Sequence, residues 1–137
     1  MQAAELPGRF ASRPVARLST VRPDGAPHVV PVVFALVEDT MYSAVDAKPK
    51  RTSRLQRLAN IRAEPRCALL VDHYEEDWSQ LWWVRADGRG VVIDEPPPDH
   101  PGLRALAERH PQYRAQPPSG PLIVVTVDRW SGWSSAS

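Results

Sequence analysis

Only two of the chain's 17 basic residues are lysines, Lys48 and Lys50, and they share the four positions 48–51 with Arg51. The segment continues as Thr52-Ser53-Arg54-Leu55, which reads as a loop entering a helix. Phosphate is held well where cationic side chains meet a helix N-terminus, because the free backbone N–H groups and the helix dipole both favour an anion. Here three cations precede two hydroxyl residues at the predicted first turn. Positive charge at that position is otherwise unfavourable by about a few tenths of a kcal/mol, and a bound anion would offset the conflict. Charge and spacing alone also fit a solvated basic turn or a polybasic patch for nucleic acid.

The second group is aromatic. Tryptophans stand at positions 78, 82, 83, 130 and 133, and such residues serve most often as core or interface material. Trp82 and Trp83 point to opposite faces of a strand, so one can be core while the other meets a partner or ligand. Trp133 lies between Gly132 and Ser134, after the last predicted strand, where a planar ligand could stack on it. The histidines, His28, His73, His100 and His110, are dispersed and show no metal-ligand spacing, so no metal site is expected. His28, beside a buried run, reads as a structural residue. Nucleophile-elbow, Walker and dinucleotide signatures do not occur. The pattern supplies no acid–base or nucleophilic constellation, so an enzyme built on it would take its chemistry from a cofactor. The single cysteine, Cys67, excludes an intrachain disulfide; set in Cys67-Ala68-Leu69-Leu70-Val71, it reads as a small buried residue.

These residues need elements to position them. Pro14 to Val21 reads as a strand leading into the tight turn Arg22-Pro23-Asp24-Gly25. His28 to Val37 is a near-continuous apolar, β-branched run, predicted as a strand covered on both sides; Pro31 within it calls for an edge position or a bulge. Glu38-Asp39 turns the chain into a strand over Thr40 to Val45. The period then changes: Leu55, Leu58 and Ile61 predict a short amphipathic helix over Thr52 to Ile61, stopped by Pro65. Arg66 to Asp72 is the next strand. Leu81 to Ile93 is a long bent strand pair with Asp87-Gly88 as a turn or bulge. Pro98 to His110 contains a second helix, Leu122 to Val127 is the last strand, and Arg129 to Ser137 is a tryptophan-containing tail. Six strands and two or three short helices without regular crossovers describe a mainly β (α+β) antiparallel barrel.

The 137 residues suit one domain, residues 1–137, and the 42% apolar content is that of a globular chain. A formal net charge of +1 argues against a nucleic-acid partner. Met1 to Phe10 contains no long apolar region, and no stretch reaches membrane-spanning length, so a soluble, cytoplasmic protein without a membrane partner is expected.

Taken together, three stretches resemble the pyridoxamine-5′-phosphate-oxidase-like split-barrel family. Ala16 to Val32 resembles its opening hairpin, with a Leu-x-Thr strand and an Asp-Gly-x-Pro turn. Lys48 to Asp72 is similar to its phosphate loop, short helix and following strand. Asp77-Trp78-Ser79-Gln80 resembles the segment that reaches the cofactor across the dimer interface. Within the family the chain is most similar to the branch that uses the deazaflavin coenzyme F420. The resemblance implies a six-stranded split barrel acting as a homodimer, with cofactor sites at the interface. It implies that Lys50, Arg51 and Thr52, with Lys48 nearby, contact the cofactor phosphate. It further implies that Pro31, Val32 and Val33 lie along the ring, that Thr20 lies near the ribityl chain, and that Trp78 and Gln80 come from the second subunit. Trp133 and Trp130 are then candidate walls for a small unsaturated substrate reduced or oxidised by hydride transfer. Arg51 stands where the family often has lysine, and a guanidinium can hold phosphate bidentately. The asparagine that follows in the family is absent. So is the C-terminal arginine-histidine pattern of pyridoxamine phosphate oxidases, so vitamin B6 oxidation is not expected. FMN in place of F420, and a non-catalytic cofactor or haem carrier, are the alternative readings.

Overall fold

A computed structural model describes residues 1–45 and 52–136, the side chains of residues 52–55 excepted. Its centre is one antiparallel seven-stranded sheet in the order β2-β1-β5-β6-β7-β4-β3. The strands are β1 (Val15–Val21), β2 (Pro27–Val33), β3 (Ala35–Val37), β4 (Thr40–Ala44), β5 (Arg66–His73), β6 (Trp82–Ile93) and β7 (Leu122–Ser134). The two edge strands, β2 and β3, are consecutive along the chain and separated by Phe34 alone. The sheet therefore curls until its edges meet at that residue. Ser43 of β4 donates its hydroxyl to the Val33 carbonyl of β2 at 2.9 Å, tying the seam.

Strand alternation fills the interior. Leu18, Leu69, Val84 and Val125 are fully buried, whereas their neighbours Arg17, Leu70, Arg85 and Thr126 point outward. Helix α1 (Leu6–Ala11) plugs one end through Phe10, whose ring lies 4.9 Å from Phe34 and 5.2 Å from Trp130. Helix α2 (Thr52–Ala63) packs Leu58 and Ile61 into the same core. Helix α3 (Pro101–Arg109) covers β3 and β4 through a smaller cluster of Leu106, Ala35, Ala44 and Leu122, and α4 (Pro111–Ala115) follows it.

The predicted hairpin turn forms: Gly25 adopts φ 89°, a value that favours glycine, and Asp24 Oδ1 accepts from the Ala26 N–H at 2.9 Å. Four expectations are corrected. The run from His28 to Val37 breaks at Phe34 into two strands, which raises the count from six to seven. β2 is an edge strand with Val29 60% exposed, so it is not covered on both faces within the chain. Leu81 to Ile93 contains one continuous strand with a bulge between Asp87 and Gly88, not a hairpin. A Cβ on Gly88 would stand 2.3 Å from the Thr126 carbonyl oxygen, so the bulge needs glycine for close backbone approach. Finally, the predicted tail is strand: β7 runs through Trp130 and Trp133 and pairs along β6. The length of β7 is not legible in local sequence, because its C-terminal half is polar and half-exposed and pairing with β6 holds it extended. The short helices α1 and α4 add to the two expected from the sequence. No helix among the described residues is long and apolar enough to cross a membrane.

Candidate functional site

The implied site residues fall at different levels of β1 and its neighbours. Lys48, Lys50 and Arg51 lie outside the described residues, and Thr52 is the first residue of α2. Near the C-terminal end of β1, Thr20 is 1% exposed and faces inward. Its hydroxyl oxygen accepts from Asn60 Nδ2 at 3.0 Å, and Asn60 Oδ1 accepts from Gln56 Nε2 at 2.7 Å. Asn60 is itself fully buried. This pair fixes α2 against β1, so the Thr20 side chain positions the helix that opens with Thr52 rather than facing solvent.

His28 pairs with Thr20 in the β1–β2 register. It is half-buried, and its Nδ1 is buried with no hydrogen-bond partner among the described residues. Burial first, then the charges of Arg22 and Arg57, hold its pKa below the ordinary value of 6.5. It therefore stands as a neutral imidazole at neutral pH, in a positive field. Read as a structural residue in the sequence, His28 is a candidate ligand contact in the structure. Only its neighbour across the strand pair could have pointed to it.

Toward the other end of β1, Pro31 pairs with Arg17 and Val33 with Val15. Val32 is buried, Val33 half-buried and Pro31 exposed. Because the Val33 carbonyl turns to β4, the odd-numbered residues of β2 direct their backbone groups away from β1. Pro27 and Pro31 belong to that series, so their missing N–H groups cost the ladder nothing. The outer edge of β2 is thereby blunted against strand pairing and presents carbonyl acceptors.

The turn Trp78–Gln80 joins β5 to β6 at the N-terminal end of β1, about 17 Å along the strand from Thr20 at the usual strand rise. Asp77 caps it, accepting from the Ser79 hydroxyl at 2.7 Å and the Ser79 N–H at 3.1 Å, and these bonds hold its carboxyl below the usual carboxylate range. Trp78 is 76% exposed. The Leu81 carbonyl accepts from the Ser135 N–H at 3.0 Å, which brings the end of β7 beside this turn.

Trp133 sits opposite Trp83 on the outer face, and Arg85 lies 5.7 Å from the Trp83 ring centre. Trp130 is committed elsewhere: its Nε1 donates to Asp39 at 3.0 Å and its ring packs on Phe10. It packs at the barrel end, on the opposite face of β7 from Trp133. A shallow cavity of about 270 Å³ lined by Leu70, Asp72, Tyr74, Trp83 and Arg85 opens on the same outer face. Cys67 is buried as expected, and burial, with Asp128 and Asp87 adding to it, pushes its thiol up to about 12. No cluster of metal-ligating residues occurs among the described residues.

A curled antiparallel sheet sealed by its own edge strands, with short helices at its ends, defines the split-barrel class. The family model for pyridoxamine 5′-phosphate oxidase matches residues 4–134, and the chain belongs to that family. No curated protein matches the sequence. Among solved structures, a conserved hypothetical protein from Mycobacterium tuberculosis superposes with a TM-score of 0.77 at 22% identity, covering 98% of this chain and 86% of its own. An FAD-binding protein from Mesorhizobium loti gives 0.72 at 19% identity, covering 96% and 92%. A protein described as an F420 reductase gives 0.67 at 23% identity, covering 96% and 98%. These likenesses establish the fold.

Proposed function

We propose that this chain is one subunit of a homodimeric oxidoreductase that transfers a hydride between coenzyme F420 and a small unsaturated organic substrate. The observation that carries the dimer is the sheet's outer face. Tyr74 and Trp133 are 59% and 42% exposed there, with Trp83 paired to Trp133 and sharing a cavity with Tyr74 and Leu70. A grouped apolar surface of that kind is a protein or ligand contact in soluble proteins.

The described residues fit a phosphorylated tricyclic cofactor. The His28 Nδ1 lacks a partner, the β2 edge offers carbonyl acceptors, and the Thr20–Asn60 bond steadies the helix behind the cationic segment. Lys50, Arg51 and Thr52, with Lys48, would hold the phosphate. Pro31, Val32 and Val33 would border the ring, and Trp78 and Gln80 would reach the partner's site. Such a cofactor supplies the hydride chemistry, and the chain binds it, orients the rings and excludes water. Trp133 would form a substrate wall.

Titration with F420 and with FMN, followed by tryptophan emission, tests the reading. F420 is expected to bind, and Lys50→Ala/Arg51→Ala to weaken it by about tenfold or more. Unchanged affinity in that variant removes the anchor, and tight FMN binding without F420 binding replaces the cofactor.

A further inference from the structure

A sizeable cavity lies apart from this site. It is a groove of about 710 Å³ between the segment that leaves β6, the helices α3 and α4, and the segment that enters β7. Its volume is within the range of small-molecule sites, roughly 300–1,000 Å³. Two further cavities are smaller, about 290 and 270 Å³.

Pro98, Pro117 and Pro118 form much of the walls. Proline fixes φ and carries no backbone N–H, so these walls are stiff and contribute little hydrogen-bond donation. Leu103 and Tyr113 add apolar surface. Polar recognition is left mainly to side chains, and two of these are guanidinium groups, Arg104 and Arg114. Arg114 Nη1 donates to the Ala107 and Glu108 carbonyls at 2.9 and 3.1 Å, which pins its charge at the C-terminal end of α3. Neither arginine forms a salt bridge with a described carboxylate. Glu95 lines the same groove, so two cations against one acid leave it a single net positive charge. Stiff apolar walls with an uncompensated cation match a flat apolar molecule bearing one acidic group.

We propose that this groove is a second small-molecule site, separate from the cofactor site, that binds aromatic carboxylates or sulfonates with Arg104 as the main charge partner.

The test uses 1-anilinonaphthalene-8-sulfonate as the probe on the full chain, followed by fluorescence. Saturable binding of one probe per chain is expected, unchanged by saturating FMN or F420. Arg104→Glu is expected to weaken it about tenfold or more, while Arg104→Lys retains most of it. Arg104 is exposed, so both variants should fold, and circular dichroism checks that they do. Absence of saturable binding, equal affinity in Arg104→Glu, or displacement of the probe by either cofactor overturns the proposal.

Discussion

The two faces of the same five strands have opposite fates. On the inner face, Leu18, Leu69, Val84 and Val125 are fully buried, in a core closed by Phe10 and Phe34. On the outer face, the aligned row Pro31, Arg17, Leu70, Arg85 and Ser131 mixes charge with apolar surface, and Trp83 and Trp133 face each other beside it. The interior spends its apolar residues on stability. The outer face leaves large rings half-exposed, a cost in water that a partner or ligand can reverse. Burial and exposure are thus separated by strand parity, one residue apart.

That separation can be broken from the inside first. Leu69→Ala removes a fully buried side chain and is expected to cost about 2–5 kcal/mol by denaturant unfolding. Asn60→Leu leaves the buried Thr20 hydroxyl without its partner; a loss of about 1–3 kcal/mol is expected. If that hydroxyl finds another partner through relaxation, the loss falls well below this range and α2 is not held as described.

A pH series examines the border between the faces. The folded pKa of His28 lies below its unfolded value of 6.5, so the unfolded chain binds more protons in that window. Stability is then fully present above about 6.5 and declines as pH falls toward the lower folded value. His28→Gln should flatten that decline, and an identical slope in the variant would assign it to other groups.

The smallest stability change belongs to the outer face. Trp83→Ser/Trp133→Ser is expected to shift subunit unfolding little, by less than about 1 kcal/mol once measured on dissociated chains. Sedimentation should nevertheless show self-association weakened. A double variant that remains fully dimeric would place the interface elsewhere.

Much of this arrangement follows from local sequence. The Pro23-Asp24-Gly25 turn, the helix over Leu55, Leu58 and Ile61, and the strands from Arg66 and from Leu122 depend on periodicity and turn chemistry, which act over a few residues. The resemblance carried by Ala16 to Val32 and Lys48 to Asp72 pointed to the family that matches residues 4–134. What local pattern could not settle is where chain-distant groups meet. The apolar run from His28 to Val37 looks the same whether it is a buried strand or two edge strands meeting at Phe34. Only closure of the sheet decides between them. Trp130 and Trp133 lie three residues apart and carry the same side chain, yet one ring packs on Phe10 and the other faces out. The contact of Asn60 with Thr20 spans 40 residues, and it arises because packing α2 on the barrel buries those two polar groups together. Sequence determined which residues could bury, turn or bind an anion. Tertiary structure decided which face each one meets, because burial and hydrogen bonding are settled by the neighbours that folding brings together.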